Sequence, residues 1–351
     1  MAYPSKPVCG QGAPLPQWPS TQTETPGPSG VNNPPPLLLE ITPCTLCGSD
    51  EGDPCASGTD FEYDTTADTF TFVRCRQCGH QYLNPRPATS ELDRIYPDNY
   101  YSFTQTPHSL VARFQRIWES RKVGFYRKFI GEGERQILDV GCGNGRLLQL
   151  LQEAGHPEWN AVGLEFDEAA IQQCREMGFE AHAERIEDFS EKEIQKKRFD
   201  AVIMLQLIEH VDDPSLICER VYALLKDEGV FIIETPDLEG LDYRLFAGRW
   251  WGHYHFPRHW NLFSQERLAH MLEIHGFEIL AHESLISTSA WIISFHNFFK
   301  DRGWPALFWR FFSYQNPLLL ALAILVDTLR IQTGRKTSNQ RIIARKQSKT
   351  A

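Results

Sequence analysis

The sequence predicts an α/β protein: a doubly wound, mostly parallel sheet of seven strands sandwiched by helices, with a small cysteine-bearing module in front. Three observations predict it. An apolar run at residues 136–140 leads into glycines at 141, 143 and 145 and then into the helical pattern of 146–151. Further apolar runs at 161–166, about 179–183, 199–206 and 230–236 alternate with stretches of helical spacing, as crossover units require. Ahead of them stand two Cys-x-x-Cys pairs separated by 27 residues (48–74).

Taken in order, residues 1–40 read as a disordered leader: ten prolines fall before residue 37, charge is almost absent, and there is no apolar core of a signal peptide. Residues 41–86 read as a zinc ribbon. In each knuckle a trailing glycine, Gly48 or Gly79, lets the backbone fold around sulfur, and the thiolates of Cys44, Cys47, Cys75 and Cys78 make a closed, tetrahedral, structural Zn²⁺ site. Residues 61–63 and 69–73 alternate as strands between the knuckles, with metal supplying the folding energy that so small a core lacks. Cys55 and His80 are the candidates for a swapped ligand.

Residues 87–130 read as a helical lid or linker, in which Phe114, Trp118, Phe125 and Phe129 recur at helical spacing and either cover the main domain's ligand or pack on its sheet. Tyr100 and Tyr101 are placed to border a pocket. The main domain follows over 131–346. Asp167 caps a helix ending near Gly178, and Asp213 with Pro214 starts another, the capping residue first and proline at the first helical position. Residues 277–280 and 340–345 supply the last two strands. Within this domain, 237–263 is dense in Trp, Tyr and His and reads as a substrate lid, ahead of a plain hydrophobic cover. Residues 286–338 read as a helical insertion whose apolar run 317–326 stops at Asp327, too short to span a bilayer. Packing on the domain is its first reading, and a peripheral surface resting on the inner face of a membrane its second. Residues 347–351 are a tail, and beyond Asp327 the chain has seven basic residues and no acidic one.

The alternating glycines remove every Cβ where the backbone turns sharply and let a ligand lie against the main chain, beside the free N–H groups of a helix start. Position 146 is Arg where the dinucleotide pattern needs Gly, which disfavours nicotinamide and flavin. Glu165 falls at the carboxyl end of the second strand, where a carboxylate reads a ribose diol. For taking a proton from a hydroxyl, histidine is the suited side chain, and the candidates in order are His259, His210 and His255.

On these residues, Leu138 to Gly145, Glu165, and the run 199–211 ending in Ile208, Glu209, His210 and Val211, the chain resembles the class I S-adenosylmethionine-dependent methyltransferases. With Pro257, Arg258 and His259 added, it is similar to ubiquinone-biosynthesis O-methyltransferases and to bacterial methyltransferases of glycan and natural-product pathways. The resemblance covers 41–346 and is strongest over 136–236. It implies a Rossmann-like seven-stranded sheet with the last two strands antiparallel, and S-adenosyl-L-methionine as cofactor. It also implies a cofactor-binding set of Asp139, Gly141, Gly143, Gly145, Glu165, Glu187, Asp188 and Gln206, with Glu187 or Asp188 accepting from the adenine amino group. The implied reaction is O-methylation of a small-molecule or saccharide acceptor. C-methylation of a nucleotide sugar, RNA methylation and non-catalytic binding of the methyl donor are the alternatives. Some relatives hold a divalent cation through Glu-x-x-Glu-His; here Gln206 takes the first position, so one anionic ligand is missing.

Bulk properties narrow the partners. The formal charge of −10, and a ribbon with seven acidic against three basic residues, argue against nucleic acid. Nine cysteines, two pairs of them in knuckles, point to a reducing cytoplasm and a metal more than to disulfides.

Overall fold

The computed structural model describes residues 35–97, 110–189, 198–314 and 316–348, with backbone alone for 110–118. Most of the leader, Tyr100, Tyr101 and the side chains of Phe114 and Trp118 lie outside the described residues. The leader's last residues do fold: Leu37 is buried, and β1 (Leu39–Glu40) is a strand.

The ribbon carries β2 (Gly52–Gly58), β3 (Phe70–Cys75), β4 (Gln81–Leu83) and β5 (Arg86–Pro87), the last pairing antiparallel with β1. The expected strand at 61–63 is a turn instead. Asp60 accepts hydrogen bonds from the backbone N–H of Tyr63 (3.1 Å) and of Thr65 (3.0 Å), and an aspartate that binds backbone just beyond itself favours a turn. β3 pairs with β4 on one side and on the other with β2, an edge strand of the kind that tolerates Pro54.

The main sheet is built from β6 (Arg135–Val140), β7 (Trp159–Glu165), β8 (Glu180–Ala183), β9 (Phe199–Leu205), β10 (Leu225–Pro236), β12 (Phe277–Leu285) and β13 (Asn339–Lys346). Its seven strands lie in the order β12-β13-β10-β9-β6-β7-β8, and only β13 runs against its neighbours. The central strands are apolar on both faces because both are covered, and their period of two sorts the residues. Leu138, Val202, Met204, Phe231 and Ile233 face the helices Pro214–Leu224 and Gln265–Ile274. Ile137, Ile203 and Ile232 face the helices Leu110–Ile130 and Arg146–Ala154.

For two segments the packing follows the second of the readings given above, burial against the protein. In the helix expected as a lid, Val123, Tyr126 and Ile130 are buried against the sheet, with Phe125 and Phe129 half-buried beside them, so its described side chains are core. The segment 237–263 is also core for the most part. Trp251, Tyr254, Phe256 and Trp260 are buried together with Ala56, Phe70, Phe72 and Leu83 of the ribbon. A short strand β11 (Asn261–Leu262) then pairs antiparallel with β4, so ribbon and main domain share one sheet and one core. Density in Trp and Tyr here answers to burial, since these are the side chains that remove most apolar area from water.

Helices Thr288–Asp301, Ala306–Phe311 and Pro317–Gln332 follow β12. No described helix is long and apolar enough to cross a membrane.

Candidate active site

A cavity of about 310 Å³ opens at the carboxyl ends of β6, β7 and β9, where a doubly wound sheet leaves a crevice. One wall is the glycine loop. Gly141 and Gly143 hold φ of +76° and +49°, and a Cβ on Gly141 would meet Leu207 at 2.9 Å. Gly143 lines the cavity, and a Cβ there would meet nothing within 4 Å, so this backbone faces open space. Glu165 lies against the loop: its carboxylate accepts from the N–H of Gly143 (3.2 Å) and of Phe166 (2.8 Å). Burial raises its pKa, and those N–H bonds oppose the rise. The exposed ring of Phe166 extends the same wall.

Beneath the loop, Asp139 is buried with no hydrogen-bond partner for Oδ2 among the described residues, and burial pushes its pKa to about 8, against the pull of Lys122. Lys122 is itself committed to Glu234 at 2.8 Å, which also binds Tyr126 (2.7 Å) and Arg341 (2.7 Å). Burial alone would raise Glu234, but the two cations outweigh it and hold the carboxyl at about 2. The backbone of the same residue holds the next part of the wall: Gln206, in the left-handed region at φ +52°, donates its N–H to the Glu234 main-chain carbonyl at 2.7 Å. Such a conformation persists only where its surroundings fix it. Glu187 also lines the cavity; Asp188, Asp139 and Gly145 do not, the last capping the helix Arg146–Ala154.

On the opposite side His210 lines the cavity. Its Nδ1 lies 3.0 Å from the Arg258 carbonyl oxygen, which only accepts, so the proton sits on Nδ1 and Nε2 keeps its lone pair. The Tyr96 hydroxyl lies 2.9 Å from the same nitrogen. Behind His210 stand His259, with ring centroids 4.6 Å apart, and His255 at 6.4 Å. His259 is buried, outside the cavity lining, and its Nδ1 is 2.8 Å from the His253 carbonyl oxygen. His255 pairs with Glu62 of the ribbon at 2.6 Å. Burial lowers His210 to about 3 and holds His259 well below its ordinary value, so both rings are neutral near pH 7. Of the three histidines named from sequence, His210 therefore meets the cavity, and the two taken from the aromatic segment support it from behind.

Glu209 completes this group. It is buried, its Oε2 accepts from Thr235 (2.9 Å), its Oε1 has no partner among the described residues, and burial raises its pKa to about 8. One donor atom each of Glu209, His210 and His259 lies within 4.8 Å of the others. Gln206 takes no part; its side-chain amide donates to Asn339 at 3.1 Å.

The four knuckle cysteines converge away from the cavity. Cys44 and Cys78 have sulfurs 3.6 Å apart, and those of Cys47 and Cys75 are 3.5 Å apart. Four ligands at 2.3 Å in a tetrahedron lie about 3.8 Å from one another, so the donor set and its spacing fit a metal. Neither swapped ligand joins them: Cys55 donates to the Phe72 carbonyl (3.3 Å), and His80 is buried against Asn261 (3.2 Å).

Sequence reading missed Glu62, Tyr96 and Phe166 as parts of this site, and named Glu209 only as a position of the Glu-x-x-Glu-His pattern. Only Glu209 left a signal, as the neighbour of His210; the others carry no local pattern.

Residues 113–282 match the family model described as a methyltransferase domain. The chain is 33% identical over 119 residues to a ubiquinone biosynthesis O-methyltransferase of Alkalilimnicola ehrlichii, covering 32% of this chain and 46% of that one. It is 30% identical over 109 residues to the protein of the same description from Actinobacillus pleuropneumoniae, covering 29% and 45%. The chain thus spans about half the length of the curated relatives it matches. The crystal structure of a SAM-dependent methyltransferase from Archaeoglobus fulgidus aligns at 20% identity and a TM-score of 0.42, over 68% of this chain and 100% of that one. The family match and the strand order together make the larger domain similar to class I S-adenosylmethionine-dependent methyltransferase domains.

Proposed function

We propose that the protein transfers the methyl group of S-adenosylmethionine to a hydroxyl of a small molecule or saccharide-pathway intermediate. The observation that carries this reading is one cavity with a glycine-loop wall and Glu165 on one side and a neutral histidine, His210, on the other. Glu165 would hold the ribose diol, and Glu187 would meet the base. The donor supplies an electrophilic methyl carbon on sulfonium. As the acceptor oxygen attacks, a C–O bond forms, the C–S bond breaks to leave S-adenosylhomocysteine, and the hydroxyl proton passes to Nε2 of His210. The four ribbon cysteines would hold a structural zinc. Titration calorimetry with S-adenosylmethionine and S-adenosylhomocysteine tests the pocket, and a methyl-transfer screen of hydroxylated acceptors tests the reaction. No heat with either ligand sinks the whole reading.

A second reading is favoured by the orphaned Glu209 Oε1. Glu209, His210 and His259 would hold a divalent cation, with both rings already fixed in the tautomer that leaves Nε2 free, the usual arrangement of ligating histidines. Such an ion would lower the pKa of an acceptor hydroxyl, replacing the histidine as the means of activation. Metal analysis of protein purified without chelator, with Glu209→Gln and with His259→Ala, separates the two; a metal content confined to the cysteines leaves histidine as the base.

A further inference from the structure

We infer that the helices Ala306–Phe311 and Pro317–Gln332 form an interfacial surface that rests on an anionic lipid bilayer. The inference stands on the outer face of the molecule and does not depend on the methyl-transfer reading.

The second helix is oriented without ambiguity. Asp327 is buried and accepts from the N–H of Ser287 (2.7 Å) and the indole of Trp291 (2.9 Å), which pins that face, with Ala323, against the helix Thr288–Asp301. The opposite face carries Leu318, Leu322, Leu325 and Leu329 at helical spacing, each more than half exposed, at 76, 57, 55 and 53%. On the shorter helix Leu307 is 83% exposed and Phe311 53%. A helix on a water-facing surface turns polar residues outward, and this pair turns leucines and phenylalanine outward.

Charge identifies what covers them. From residue 302 to 348 Asp327 is the only acidic residue, and it is buried and engaged. Arg302, Arg310 and Arg335 are exposed, and at the carboxyl end of the apolar helix Arg244, Arg330, Arg335 and Lys336 line a cleft of about 410 Å³ in which Glu239 is the only carboxylate among the described residues. Exposed Trp304 and Phe308 lie between Arg302 and Arg310 in the chain. Leucines flanked by cations and aromatic rings match the acyl, headgroup and interfacial layers of an anionic leaflet, whereas a second copy of the chain would bring the same positive charges together. Length excludes spanning: 16 residues at 1.5 Å per residue reach about 24 Å, short of the roughly 30 Å hydrocarbon core, so the helix lies along the surface.

The test is co-sedimentation of the full chain with phosphatidylcholine vesicles prepared with and without phosphatidylglycerol, at low and high salt. Binding to the anionic vesicles, weakened by salt and by at least about tenfold in the variant Leu318→Glu/Leu322→Glu, is the expected result. Arg310→Glu/Arg335→Glu should weaken anionic binding by about tenfold and leave the residual neutral binding alone. Because all four positions are exposed, unchanged thermal unfolding of the variants checks that folding is intact. No sedimentation with anionic vesicles overturns the inference, as does equal binding to neutral ones. A concentration-dependent dimer that the leucine variant abolishes, without vesicle binding, overturns it in favour of self-association.

Discussion

At the scale of single residues, the site is defined by groups whose ionisation burial has shifted. His210 lines the cavity while His259 stands behind it, so replacing each by alanine should separate their roles. Loss of His210 is expected to cut turnover by about 10²–10⁴-fold with S-adenosylhomocysteine affinity unchanged, the range for a lost general base. A smaller loss for His210→Ala than for His259→Ala would return the base to His259. Asp139 makes a second prediction. Its folded pKa of about 8 lies above the ordinary carboxylate value, so the folded state keeps a proton that the unfolded chain releases. Stability from this group is complete below about pH 4 and is lost as pH rises through about 8. Asn cannot ionise, so Asp139→Asn should gain on the native protein as pH rises from 4 to 9, by on the order of 1 kcal/mol or more, in ligand-free thermal melts. A difference that does not move with pH would show that Asp139 is ionised when folded.

Among elements, the turn between β2 and β3 has the largest consequence. It carries Asp60, which binds Arg258 through two bonds of 3.1 and 2.8 Å with both side chains fully buried, and Glu62, which reaches His255. Arg258 also donates to the Ile95 carbonyl (2.6 Å), so three segments meet on one guanidinium. Removing one partner of a buried pair leaves the other charge stranded, and Arg258→Ala is expected to cost about 3–5 kcal/mol in urea unfolding. A loss below 1 kcal/mol would mean that water enters and solvates Asp60. The pair is poor evidence for net stability, because two buried charges cost much to desolvate; its effect is to fix where the histidine segment sits.

For the molecule as a whole, the ribbon is not an appendage. Its apolar residues Phe70, Phe72 and Leu83 share a core with Trp251, Tyr254 and Trp260, and β4 receives β11 as a sheet partner. A chain starting at residue 88 would expose that core and a sheet edge together, and we predict aggregation instead of a soluble catalytic domain. Soluble, monodisperse material with native-like thermal unfolding would contradict it. Since the ribbon's own fold is drawn together at four cysteines, a chelator that strips the proposed zinc should lower the melting temperature of the entire chain in one transition, with no separate ribbon step.

Sequence alone determined the elements that are local in the chain. The seven-stranded sheet was legible because apolar period, capping residues such as Asp167 and Asp213, and the glycines at 141 and 143 each act within a few residues of themselves. The cysteine knuckles were legible for the same reason. Tertiary structure decided which side chains share the site. His210, Tyr96, His259 and Glu62 come from four separate stretches, and no short pattern encodes the register of β11 on β4 or the burial of Arg258 on Asp60 that brings those stretches together. The aromatic density of 249–263 was equally ambiguous, since Trp and Tyr serve a ligand and a core by the same physics, and only their neighbours in space tell the two apart.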